Sequence, residues 1–126
     1  MLEQDKIFEE HINIISEEVN KAISSVKSII LYGGYGRNEG SWYQNSDGVY
    51  KPYNDYDILL VNGNKVEPHV LSTLKKKILK KINIRWIDLS QKSTTELKSL
   101  KPSIFNYDLK YASKVISGQK NILENI

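Results

Sequence analysis

An α+β (α/β) fold, a small mixed β-sheet with helices packed on it, is what three features of this sequence predict. Two long stretches, Gln4 to Val26 and Glu67 or Pro68 to Lys81, repeat apolar residues at the three-and-four spacing of one helical face. Three short apolar runs, Ile29 to Tyr32, Asp55 to Val61 and Asn83 to Leu89, read as strands. Turn-forming clusters, Gly33-Gly34-Tyr35-Gly36 and Asn62-Gly63-Asn64, punctuate them. Helices and strands that alternate along one short chain bury their apolar faces on each other as packed layers.

The elements follow in order. In the first helix Ile7, Phe8, Ile12, Ile15, Val19, Ile23 and Val26 make the apolar face, and Ser24-Ser25 frays its end. Ile29 to Tyr32 is apolar on both faces, so an internal strand is expected. Residues 38–53 are loop-like, with Ser41-Trp42-Tyr43 set to pair with Val49-Tyr50-Lys51 across Asn45-Ser46-Asp47-Gly48. The aromatic residues of this insert have two readings: they line a pocket, or they tether the loop to the body. Val70, Leu71, Leu74, Ile78, Leu79 and Ile82 form the core side of the second helix, and Lys75, Lys76, Lys77, Lys80 and Lys81 most of the rest. In the third strand Trp86 and Asp88 share one face. Thr94 or Thr95 is expected to cap a short helix through Leu100, followed by Pro102. A helical stretch from Ile104 to Ser113 and a last strand, Lys114 to Ile116, turned at Ser117-Gly118, complete the series.

At 126 residues the chain is expected to be one domain, 1–126, with room for a real core. No apolar run approaches the ~20 residues that span a bilayer, and Met1 to Lys6 lacks the features of a secretory leader, so a cytoplasmic protein is the expectation. The absence of cysteine excludes disulfides and thiolate metal sites. The two histidines, His11 and His69, have no ligand spacing and read as ordinary residues. A net charge of +3 agrees with an anionic partner without demanding nucleic acid, since much of it comes from one lysine cluster.

The glycine turn is neither of two familiar phosphate loops. Counting from Gly34, the sixth position of a dinucleotide fingerprint is Glu39, and no Gly-Lys-Ser/Thr tripeptide exists. What remains is a strand ending in Gly33-Gly34 with Arg37 behind it. Glycine lets backbone N–H groups approach phosphate oxygens, and arginine adds a permanently charged bidentate donor. Gly-Gly is also an everyday tight turn.

The aspartates add more. Residues i and i+2 of a strand point to one face about 6–7 Å apart, so Asp55 and Asp57 project side by side and call for a cation between them. A pair of divalent ions about 3.5–4 Å apart is bridged naturally by such carboxylates. The other reading makes Asn54-Asp55 a cap before the strand. Asp88 lies on a strand dense in apolar residues, where a carboxylate is costly unless paired or metal-bound.

With these residues together, the sequence resembles the DNA polymerase β-like nucleotidyltransferase superfamily, especially its minimal nucleotidyltransferase branch. The pattern is Leu31-Tyr32-Gly33-Gly34, then Asp55-Tyr56-Asp57-Ile58-Leu59-Leu60-Val61, then Ile87-Asp88-Leu89, with Arg37-Asn38-Glu39 similar to the family's Arg-Gly-Glu. The likeness spans a core of about residues 28–116. Gly34 stands in place of the commoner serine, Asn38 in place of a glycine, and the spacer before Asp55 is longer than usual.

The resemblance implies the nucleotidyltransferase fold and transfer of an NMP from an NTP, ATP foremost, to a hydroxyl acceptor with release of pyrophosphate. Asp55, Asp57 and Asp88 would be catalytic and hold Mg²⁺ (two ions, or Mn²⁺), and Gly33, Gly34 and Arg37 would bind the nucleotide. A partner protein or a homodimer would complete the pocket. The alternative it implies is a catalytically silent, antitoxin-like module of the same fold acting by binding a partner protein. A nucleic-acid module built on the Lys75–Lys81 face ranks lower, for want of a recognised binding motif.

Overall fold

The computed structural model describes residues 3–36, 40–52, 55–82, 84, 86–99, 109–110 and 113–125. Its elements are α1 (Glu3–Ala22), β1 (Val26–Tyr32), a one-turn helix α2 (Gly33–Gly36), β2 (Trp42–Gln44), β3 (Tyr50–Pro52), β4 (Tyr56–Asn62), α3 (Pro68–Lys81), β5 (Ile87–Ser93), α4 (Thr94–Lys98), β6 (Lys114–Gly118) and a 3₁₀ turn at Ile122–Asn125. Four strands form one sheet in the order β5-β4-β1-β6, and β2 pairs with β3 as a separate hairpin. β1 runs antiparallel to both β4 and β6, whereas β4 and β5 are parallel, joined through α3. This is the mixed sheet the sequence predicts, with β1 internal as expected.

The apolar runs of β1 and β4 follow from burial on both sides of the sheet. Ile29, Leu31, Ile58, Leu60 and Ile87 share one core with Ile15 and Val19 of α1, Ile23 just past its end, and Leu74 and Ile78 of α3. On the opposite face Ile30, Leu59 and Val61 meet Leu97, Leu109 and Ile122. Pro68 opens α3, where its missing N–H costs nothing, and Lys80 and Lys81 sit favourably at the negative end of its dipole. Glu18 of α1 accepts from Lys81 of α3, and that hydrogen bond, before any other cause, holds the Glu18 carboxyl below its ordinary range.

Four boundaries differ from the sequence expectation. Val26 keeps the helical spacing of α1 but lies in β1 opposite Asn62, because the helix stops at Ala22. The third strand begins at Ile87 rather than Asn83 and runs on through polar Ser90 to Ser93. Those residues pair with Leu59 to Asn62, which periodicity alone does not reveal. Neither Thr94 nor Thr95 caps α4. Ser93 does, its Oγ accepting from Glu96 N at 3.1 Å while Glu96 Oε1 accepts from Ser93 N at 3.0 Å, a reciprocal capping box. The last strand continues through Ser117-Gly118, pairing with Ser28 and Ile29. Most of the expected 104–113 helix lies outside the described residues, though Leu109 and Lys110 are helical.

One polar contact ties α1 to the sheet. His11 Nδ1 and the Tyr56 hydroxyl are 2.8 Å apart in the interior, and burial lowers the imidazole from its ordinary 6.5 to about 4. The folded chain therefore keeps His11 neutral where the unfolded chain takes up a proton. This contribution is intact above pH 6.5 and is lost as pH falls toward 4. Chemical denaturation followed across that range should show stability falling, and His11→Gln should flatten the fall between those limits. In the core, Leu60→Ala, at a side chain with no exposure, should cost about 2–5 kcal/mol in the same measurement.

Candidate active site

The glycine turn, the Asp-Tyr-Asp segment and Asp88 meet at one end of the sheet. The register places Tyr32 opposite Asp57 on the β1–β4 pair and Asp57 opposite Asp88 on the β4–β5 pair. Partners in register share a face, so Tyr32, Asp57 and Asp88 form a row across three neighbouring strands. The alternating residues Tyr56 and Ile87 point the other way and are wholly buried. The carboxylates are thus held by a strand fixed in the core.

Gly33 is fitted to Asp57. Its φ is +70°, a conformation costly for any residue with a side chain, and a Cβ built there would lie 2.2 Å from Asp57 Oδ2. The first glycine of the turn is therefore needed twice: for the left-handed bend that ends β1, and for room beside the half-buried carboxylate. Gly34 follows, half-buried, in α2. Asp55 is exposed just before β4, and Asp88 is exposed within β5. Arg37, with Asn38 and Glu39, lies outside the described residues.

Among the described residues no three His, Cys, Asp or Glu side chains converge as a metal cluster. The structure brings Asp57 and Asp88 to paired positions and leaves Asp55 one residue outside the strand. A donor set of carboxylate oxygens alone fits a hard cation of the Mg²⁺ type, which characteristically uses one or two carboxylates and takes its other ligands from water and substrate phosphates.

Two further residues belong to this corner. The hydroxyl of half-buried Tyr32 is raised above its usual value, first by burial and then by the charges of Asp57 and Asp88, against a hydrogen bond with Ser90. Tyr32 reads in sequence as the last apolar position of a strand, and Ser90 as the polar tail of another. The signal available was spacing: Ser90 is two residues past Asp88 and shares its face.

The aromatic insert is both anchored and pocket-lining. Asn45 Oδ1 accepts from Asp47 N and Val49 N at 3.0 and 2.9 Å, closing the β2–β3 turn. Trp42 then packs edge-on against Phe8 and Tyr35, with ring centroids 6.3 and 5.7 Å apart, and Tyr35 packs against Tyr56 at 5.0 Å. The Tyr35 hydroxyl donates to Ser41 O at 2.6 Å, and its ring lies so close to Gly40 that a Cβ there would sit 2.1 Å away. Phe8, Tyr35, Gly40, Trp42 and Lys114 border a cavity of about 200 Å³ on this side. Tyr43 stays exposed, and Tyr53 lies outside the described residues.

The sheet order and the strand-to-glycine turn beside the aspartates define a domain of the nucleotidyltransferase fold. Solved structures of toxin–antitoxin proteins, an MNT antitoxin among them, share this fold. One, a toxin–antitoxin with AMP-PNP, matches with a TM-score of 0.62 at 18% identity over 90% of this chain and 77% of that chain. A tri-AMPylated Shewanella oneidensis HEPN toxin in complex with MNT antitoxin matches with a TM-score of 0.61 at 16% identity, over 98% of this chain and 78% of the other. A toxin–antitoxin MntA-HepT structure gives 0.56 at 15% identity, over 92% and 77%. No family model matches the sequence, and neither does any curated protein.

Gly33→Ala should both strain the backbone and displace Asp57. Denaturation should register a loss of about 1–3 kcal/mol, larger than at an exposed glycine of ordinary φ.

Proposed function

We propose that this chain is a metal-dependent nucleotidyltransferase, moving an NMP from an NTP, ATP foremost, to a hydroxyl acceptor. The observation that carries this reading is the Tyr32–Asp57–Asp88 row beside the Gly33 turn in a nucleotidyltransferase fold. The acceptor oxygen bonds to the α-phosphorus, the bond to the pyrophosphate oxygen breaks, and the acceptor proton passes to Asp88. Backbone N–H groups at Gly33 and Gly34, with the Arg37 guanidinium, hold the phosphates in line. Asp55, Asp57 and Asp88 would hold Mg²⁺ (two ions, or Mn²⁺), which when bound offsets the charge that builds up in an in-line displacement. Tyr32 and Ser90 fix the carboxylate corner from the side.

Two similar structures support the nucleotide and the transfer: one contains AMP-PNP and another a tri-AMPylated protein. Both are assemblies of a toxin with an antitoxin, which supports a second protein as binding partner here. The same fact favours the second reading, a catalytically silent, antitoxin-like module that works by binding that protein. A retained Asp55, Asp57 and Asp88 set argues for chemistry.

Calorimetry with Mg²⁺ and each of the four NTPs separates the two readings. Binding of at least one is expected, and no response to any of them leaves the silent module. Label transfer from α-phosphate-labelled ATP into acceptors of a cell extract tests the residues. Asp57→Asn should abolish transfer, and Asp88→Asn should lower it about 10²–10⁴-fold, both with melting temperatures close to that of the parent. Full transfer by both variants would sink the assignment.

A further inference from the structure

The lysine-rich helix face acquires a second component in three dimensions. α3 returns antiparallel to β4 and β5, so its C-terminal half lies at the end of the sheet where Asp57 and Asp88 sit. Its Lys77–Lys81 flank faces α1, where Lys81 is paired with the Glu18 carboxylate. The opposite flank carries Lys75, whose Nζ sits 4.5 Å from the centroid of the Trp86 ring. Lys76 and Lys80, one turn apart, are exposed on the outer surface between. Among the described residues Lys75, Lys76 and Lys80 have no ion pair, and like charges at this spacing repel.

Trp86 is 46% exposed, among the largest exposed apolar side chains described. Lys75 occupies one side of the ring and leaves nearly half the residue to solvent. Trp86 also stands two residues before Asp88, about 6–7 Å along an extended chain. A flat, half-exposed ring with the Lys75 ammonium on one side, exposed Lys76 and Lys80 on the same helix and a carboxylate two residues on, suits a ligand that alternates flat rings with phosphates.

We propose that Trp86, Lys75, Lys76 and Lys80 form a binding surface for the end of a single-stranded nucleic acid, one base stacked on Trp86 and adjacent phosphates on the lysines. An acidic peptide would satisfy the ammonium groups and leave the ring unused, so the nucleic acid fits better. On the nucleotidyl-transfer reading, which this extension presupposes, the strand's terminal hydroxyl lies beside Asp88 as the acceptor. The binding itself requires neither NTP nor transfer.

The test is fluorescence anisotropy of the full chain with a labelled single-stranded oligoribonucleotide of about twelve nucleotides. Binding should weaken as salt rises, with a logarithmic slope of about −0.7 per phosphate neutralised. The pair Lys76→Glu and Lys80→Glu should weaken binding at least about tenfold and reduce that slope by about 1.4. Trp86→Ala should weaken it about 5- to 150-fold with the slope unchanged, and Trp86→Phe should keep most of the affinity. Asp57→Asn should bind the strand as well as the parent, so loss of transfer and loss of strand binding are read separately. No binding at low salt, or binding indifferent to both the lysine and Trp86→Ala changes, overturns the proposal. Equal competition by polyglutamate, with Trp86→Ala silent, assigns the face to an acidic peptide and overturns it too.

Discussion

The contact between Gly33 and the Asp57 carboxylate is the constraint on which the candidate site depends. It exists because β1 and β4 are neighbours in a register that sets Tyr32 opposite Asp57. A slip of one residue would turn Asp57 into the core and Tyr56 out of it, exchanging a buried ring for a buried charge. The Tyr56–Asp57 step at the start of β4 forbids that slip, since the face that takes Tyr56 is wholly buried and the face that takes Asp57 is only half-buried. The same residues that make the core therefore fix the orientation of the carboxylate, and the positive φ of Gly33 leaves room for it.

Behind the carboxylates lies a polar and aromatic layer that joins otherwise separate parts of the chain. Tyr56 touches His11 and Phe8 of α1 and Tyr35 of α2, and Tyr35 in turn holds Trp42 and the backbone at Ser41. The residue between the two aspartates is thus packed against the first helix, the glycine turn and, through one ring, the inserted hairpin. An insertion that lengthens the spacer between the glycines and the aspartates is accommodated because its aromatic residues carry their own attachment to this layer. The neighbouring cavity is bordered by three of these edge-on rings, Phe8, Tyr35 and Trp42.

Local features of this protein were determined by the sequence alone. The spacing of apolar residues settled α3 almost to the residue, the Asn45–Gly48 cluster settled the hairpin, and the glycines and paired aspartates pointed to one end of the sheet. These are readable because period, turn chemistry and backbone permissiveness act within a few residues. Pairing and contact across the chain were decided only by the tertiary structure. Nothing local told that polar Ser90 to Ser93 belong to a strand, since their reason is the partner β4. Nothing local told that Val26 leaves the helix or that Tyr32 meets Ser90 across the sheet. The pairing of Lys75 with Trp86 was equally hidden, because side chains eleven residues apart become neighbours only once α3 folds back over the sheet.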